Sequence, residues 1–150
     1  MQTKDARYAR SMTVVEFSWR GAVTDEEVNR LHAAAFAHRV FDDPWNDILT
    51  RHSLGWVTAR RRGVLIGFVN VIWDGLAHAW IQDTIVDPTN QRSGVGRGLV
   101  AAATEQARAA GCEWLHVDFD DHVAPFYLDG CGFEPTGAGL INLADPLSNA

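Results

Sequence analysis

The sequence predicts an α/β fold in which one mixed β-sheet is flanked by helices. Runs rich in β-branched and aromatic residues cluster before a long amphipathic stretch at 95–110 and alternate with helical stretches after it, the order expected of a layered sheet-and-helix architecture. Within that stretch apolar residues recur at Val95, Leu99, Val100, Ala103 and Ala107, which is a helical period. The chain has 150 residues, 47% hydrophobic and 21% charged, the size and composition of one globular domain that buries its core without disulfides or metal.

The elements follow in order. Residues 1–12 read as a loose polar lead, and a single domain is expected over 13–150. Val14, Phe17 and Trp19 begin a strand. Thr24-Asp25-Glu26-Glu27 starts a helix, because Thr24 can cap free amides and the acids suit the positive end of the dipole. That helix carries Val28, Leu31, Ala35 and Phe36 on its inner side. A short helix follows over 43–49 with Pro44 at its first position. Residues 56–60, a turn at Gly63 and residues 65–73 form a β-hairpin. Asp74-Gly75 turns the chain into a strand at 80–86, where Pro88 ends the ladder for want of an N–H. The helix at 95–110 is closed by Gly111. A strand at 114–119, a helix at 123–131 and a final strand pair around Phe133 and 140–143 complete the chain, with no repeat, linker or second domain.

Composition excludes several functions. A formal net charge of -6 disfavours nucleic acid, whose binders display basic faces. The one basic cluster, Arg60-Arg61-Arg62, reads as a solvated hairpin tip. Cys112 and Cys131 show no C-x-x-C spacing and are expected to be free thiols. No apolar run is long enough for a membrane span, and the N-terminus lacks the apolar core of a secretory signal, so no membrane partner and a cytoplasmic location are expected. His32, His38, His52, His78, His116 and His122 form neither H-E-x-x-H nor a Cys/His cluster, so no metal is expected.

The most informative stretch is V-D-P-T-N-Q-R-S-G-V-G-R over 86–97, where a strand end meets a glycine-containing helix start. First-turn amides have no intrahelical partner and the dipole is positive there, so anions settle readily. Gly94 and Gly96 remove Cβ atoms that would hold a diphosphate away, while Arg92 and Arg97 add charge. Two other phosphate motifs fail: the third glycine of a dinucleotide fingerprint is replaced by Leu99, and no Gly-Lys-Ser/Thr exists for a Walker loop.

What remains, V-x-P-x-x-Q-R-x-G-x-G after a strand, resembles the acyl-CoA diphosphate loop of the GNAT superfamily of N-acyltransferases, with Gln91, Gly94 and Gly96 on the motif positions. A second segment agrees: D-H-V-A-P-F-Y-L-D-G-C-G-F over 121–133 resembles that family's later motif, with Asp121 where Asn is usual. Asp keeps an acceptor but lacks the amide donor. The resemblance implies a central, mostly antiparallel sheet of about six to seven strands flanked by about four helices. It also implies acetyl transfer from acetyl-CoA, as co-substrate, to a primary amine of a small cationic molecule. The alternatives are a peptide or protein amine, or a non-catalytic module that binds CoA or sequesters a ligand.

Such a reaction needs a neutral amine, a stabilised oxyanion and a proton for the departing thiolate. With a pKa of about 10.4, only roughly one amine in a few thousand is neutral at pH 7, so a base is wanted. Asp83, in Asp-x-x-Val spacing on the motif strand, is the first candidate for that base or for gripping the ammonium. His116 and Asp118 share a face of the next strand and stand in reserve, although His116 also reads as a core histidine bonded to a neighbour. The resemblance assigns Tyr127 as the acid toward the CoA sulfur, and a phenol is protonated at neutral pH. Phe126 packs against cofactor or core. Backbone amides near Thr84, Ile85 and Val86 are implied donors to the thioester oxygen and pantetheine arm, and Gln91, Arg92, Ser93, Gly94, Val95, Gly96, Arg97 and Asp121 complete the implied coenzyme contacts. Arg60-Arg61-Arg62 has a second reading at the adenosine-end phosphates. Trp45, Trp73 and Trp80 with Asp42, Asp43, Asp47, Asp74 and Asp83 suit an organic cation, or else the tryptophans are core and the acids solvate loops. The late strands could pair across a two-fold axis, giving a homodimer.

Overall fold

A computed structural model describes residues 14–144, so the expected lead at 1–12 lies outside the described residues. Five strands form one sheet in sequential order: β1 (Glu16–Trp19), β2 (Ser53–Arg61), β3 (Val64–Trp73), β4 (His78–Val86) and β5 (Trp114–Val117). The first three joints are antiparallel and β4 to β5 is parallel. A parallel return needs a crossover, which is α3 (Val95–Ala109). It packs on one sheet face, while α1 (Asp25–Phe36) and α2 (Trp45–His52) cover the other.

The central strand β3 reads Val-Leu-Ile-Gly-Phe-Val-Asn-Val-Ile-Trp, with nearly no alternation, because both of its faces are covered. Val69 and Val71 belong to the cluster under α3; Leu65 and Phe68 belong to the one under α1 and α2. All five apolar positions of the 95–110 period are buried in α3. Its end is a Schellman turn: Gly111 at φ +92 donates to Arg108 O and Cys112 donates to Ala107 O.

α1 begins in a complete capping box, with Thr24 Oγ1 accepting from Glu27 N and Glu27 Oε2 from Thr24 N. Thr24→Ala is expected to cost about 1 kcal/mol, measured as a lower urea midpoint at unchanged slope. Phe36 is 53% exposed and not on the inner side. It lies off the stripe of Val28 and Leu31, and its ring instead covers His32 one turn back, at 4.7 Å between centroids. Pro44 caps α2 instead of opening it, and α2 runs on to His52.

The basic hairpin is more than a solvated tip. Arg60 makes a two-pronged pair with Glu27, at 2.8 and 2.9 Å, which draws the Glu27 carboxyl below its usual range. Arg61 donates to Asn90 Oδ1. Arg62 and Gly63, both at positive φ, make the two-residue turn.

The sheet has five strands among the described residues, fewer than expected, because the closing pair is not formed. Phe133 N instead donates to Tyr127 O, and Leu140, Ile141 and Leu143 are exposed. Those residues have an apolar strand pattern, but no strand is formed there among the described residues. The expected helix at 123–131 is a 3-10 turn (Asp121–Val123) running into a π-helical turn (Phe126–Gly130).

Candidate active site

Two backbone features of β4 shape the site. Pairing with β5 ends at Ile81 opposite Val117, whereas β4 continues to Val86, so the strands part. On its other side β4 bulges: Gln82 opposes Asn70 and Ile85 opposes Phe68, leaving Asp83 and Thr84 against Val69 alone. Asp83 takes φ +52, a left-handed conformation that aspartate tolerates better than most residues.

Past the bulge, Asp87 N donates to Ile66 O at 2.8 Å. Peptide groups alternate along a strand, so the Val86 N–H and C=O point away from β3 into the gap, and Gln91 Nε2 donates to that carbonyl at 3.2 Å. By the same alternation the Ile85 amide turns toward β3. Of the three amides expected at the gap, Ile85's is therefore committed to the sheet, and its side chain is buried beneath α1 and α2.

The loop between β4 and α3 is internally braced. Asp87 Oδ1 accepts from Thr89 N at 2.9 Å, and Ser93 Oγ donates to Asn90 O at 2.5 Å. Arg92 (φ +60) and Gly94 (φ +88) turn the chain so that α3 starts with no side-chain cap. The amides of Val95, Gly96 and Arg97 thus face outward. Nothing lies within 4 Å of where a Gly94 Cβ would sit, which leaves the approach to them open. This ground fits a diphosphate. Gly96 has a second reason besides the one read in sequence: a Cβ there would meet the Phe126 ring at 3.2 Å, so the glycine also admits that ring. Val95 is buried and offers only its backbone. The Arg97 guanidinium lies against Gly130, near the Cys131 thiol.

Tyr127 is buried among Phe119, Phe126 and Phe133, with ring centroids at 5.2, 4.8 and 5.9 Å. Burial pushes its phenol above the ordinary value, and the Thr84 hydroxyl beside it pulls the other way. Thr84 Oγ1 is itself buried with no complete hydrogen bond. Asp121 is exposed on the turn that leads to Tyr127.

Asp83 is partly buried, and burial pushes its carboxyl up; His32 in its protonated form opposes this and Asp43 reinforces it. His32 Nε2 lies 3.4 Å from Asp83 Oδ1. The backbone of Asp43 is pinned by buried Asn29, whose Nδ2 donates to Asp43 O at 2.9 Å. His32 is a site residue that the sequence did not reveal, since a lone histidine on a helix carries no motif.

The structure does not bring the reserve base to Asp83. His116 Nε2 is 2.7 Å from His78 Nδ1 and stacks on Trp80 at the opposite end of β4. Trp45 is core, donating to Asn29 Oδ1 at 3.2 Å. Asp47 pairs with Arg51, and Asp74 accepts from Leu76 N and His78 N, so these two acids serve their own turns. The expected mixture of tryptophans and acids thins to Asp83 with Asp43 beside it.

Residues 19–133 match the Acetyltransferase (GNAT) family. The chain belongs to the GNAT family of acetyltransferases. It is accordingly an acyl-CoA-dependent N-acyltransferase, and the family's co-substrate is acetyl-CoA. Solved structures share the fold: a GNAT-family acetyltransferase of Streptococcus pneumoniae TIGR4 (23% identity, TM-score 0.69, covering 87% of this chain and 99% of that one). Another is AAC(6')-Iy in complex with the bisubstrate analog CoA-S-monomethyl-acetylneamine (20%, 0.70, 87% and 97%). Glucosamine-6-phosphate N-acetyltransferase from Arabidopsis thaliana is similar at 14% identity and TM-score 0.67, covering 87% and 99%. No curated protein matches the sequence. Among the described residues of this acetyltransferase, no helix is long and apolar enough to cross a membrane and no group of three or more metal-ligating side chains is assembled.

Proposed function

We propose that this acetyltransferase moves an acetyl group from acetyl-CoA to the primary amine of a small cationic molecule. The observation that carries this reading is the parting of β4 from β5 beyond Ile81 and Val117; the Asp83 carboxyl on the β4 bulge and the Tyr127 phenol beside Thr84 support it. The uncapped first turn of α3 takes the diphosphate, with Gln91, Arg92 and Ser93 shaping the loop in front. The Val86 peptide and Thr84 align the pantetheine arm along β4. An amide aimed at the thioester oxygen contributes about 3 kcal/mol to the transition state. Asp83 takes the proton of the substrate ammonium, and Tyr127 returns one to the departing sulfur. A partly buried carboxylate with a second acid beside it favours a compact cation over an extended peptide.

Thiol release from acetyl-CoA, measured across small polyamines, amino sugars and peptide amines, tests the reading. Acceleration by the small cations supports it; acceleration by peptides alone, or CoA binding with no amine-dependent release, overturns it. Calorimetry supplies a companion result. Gly94→Glu puts a like charge and a strained φ where the diphosphate docks, and is expected to weaken CoA binding by about ten-fold or more, roughly 1.4 kcal/mol.

A further inference from the structure

Behind Asp83 stands a chain of polar contacts whose direction is dictated by its far end. α1 stops at Ala37, whose φ of +53 reverses the backbone and folds His38 back beside His32. His38 Nδ1 is 2.5 Å from the Arg39 carbonyl oxygen, His38 Nε2 is 2.7 Å from His32 Nδ1, and His32 Nε2 is 3.4 Å from Asp83 Oδ1. The rings are held in place by aromatic neighbours: His38 stacks on Phe41 at 4.3 Å, and His32 rests between Phe36 and Trp45.

A carbonyl oxygen only accepts, so His38 Nδ1 carries the proton in that bond. The Nε2 of neutral His38 is then bare, and the proton in the 2.7 Å contact belongs to His32 Nδ1. Neutral His32 consequently turns a bare Nε2 toward Asp83. With Asp83 ionised, lone pair faces lone pair across 3.4 Å; one added proton converts that contact into a hydrogen bond.

We propose that Asp83, His32 and His38 act as one proton-accepting unit, its polarity set by the Arg39 carbonyl, so that the proton taken from the substrate amine is held between Asp83 and His32. The inference rests on Asp83 being the acceptor in the proposed reaction. The ammonium N–H bond breaks, its electron pair stays on nitrogen as the attacking lone pair, and the unit passes from a single negative charge to neutral. After transfer it gives the proton to water. His32 and His38 are positioning residues; Asp83 alone meets the substrate. Among the described residues, the other charged groups that face the unit are Asp43, beside Asp83, and Arg39, whose guanidinium lies over Phe41.

Nitrogen-15 NMR of the wild-type protein on the alkaline side of the titration tests the polarity directly. Both histidines are expected as the Nδ1–H tautomer, opposite to the Nε2–H form that neutral histidine prefers in water; Nε2–H at either residue overturns the proposal. The second test is the pH profile of kcat/KM. In His38→Ala, His32 is released to donate Nε2–H to Asp83 and hold it ionised, so the acid limb moves to lower pH and the plateau falls on the order of ten-fold. His38→Gln, whose amide offers both a donor and an acceptor, restores both. A His38→Ala profile superimposed on wild type also overturns the proposal. The spectra require no turnover: Nδ1–H tautomers in a protein that acetylates no amine would sink the acceptor reading and leave the unit standing, whereas Nε2–H in an active enzyme would sink the unit alone.

Discussion

Tyr127→Phe is expected to lower kcat by roughly a hundred-fold or more, the size of a lost general acid, while KM for acetyl-CoA stays within about two-fold. The substitution removes one hydroxyl and keeps the ring, so the packing against Phe119, Phe126 and Phe133 survives. Thr84 Oγ1 makes no complete hydrogen bond in the native protein, so losing the phenol leaves little newly unpaired. Burial holds the phenol above its ordinary value of about 10, so it keeps its proton throughout the neutral range. Any basic limb of kcat that belongs to this phenol must therefore lie above that value in wild type and vanish in the variant. Thiol release followed at saturating amine reads both quantities. Unchanged kcat would remove Tyr127 from the chemistry.

Asp83→Asn is expected to reduce kcat/KM by about a hundred-fold with the fold intact. Asparagine suits φ +52 at least as well as aspartate, so the bulge is retained and the comparison isolates the charge. The sign of the accompanying stability change follows from the direction of the titration. A carboxyl whose folded-state pKa is raised stabilises the fold below its unfolded value, near 3.9, and that stabilisation is lost as pH rises through the folded value. At neutral pH the native protein carries a desolvated carboxylate that the amide variant lacks. Asp83→Asn should then melt at an equal or higher temperature than wild type at pH 7 and lose this advantage toward pH 4. A lower melting temperature at pH 7, or an unchanged kcat/KM, would contradict the role given to Asp83. The acid limb of the wild-type profile should likewise sit above the ordinary carboxylate range, since the carboxylate is the form that accepts the proton.

Both substitutions lie on elements that the sequence locates well, yet what fixes the surroundings of each residue is not local. The strand at 80–86 and the Phe-Tyr turn are legible from β-branched runs and a motif. The parting of β4 from β5 depends on where the Ile81 to Val117 pairing stops, and the bulge depends on Val69 being shared by two residues across the sheet. Gly96 illustrates the same division: its place in the motif is visible, but its job of admitting Phe126 requires a turn some thirty residues later to be folded against α3. His32 and His38 carry no sequence signal, because each is an isolated histidine until Ala37 reverses the chain and β4 presents Asp83 to them. The absent closing strands are the converse case, an apolar pattern at 140–143 that forms no strand among the described residues.

By itself the sequence determined what short-range physics decides: the period of α3, the Thr24 cap, the turn at Gly63, the glycine stop after Ala110, and a glycine-containing helix start. Each depends on residues within a few positions, where chain connectivity already holds the partners together. Tertiary structure alone decided which strands part, which amide turns inward at Ile85, and which histidine stands behind Asp83. Those outcomes are set by competition among distant peptide groups and buried charges, and pattern along the chain carries no term for the partner that wins.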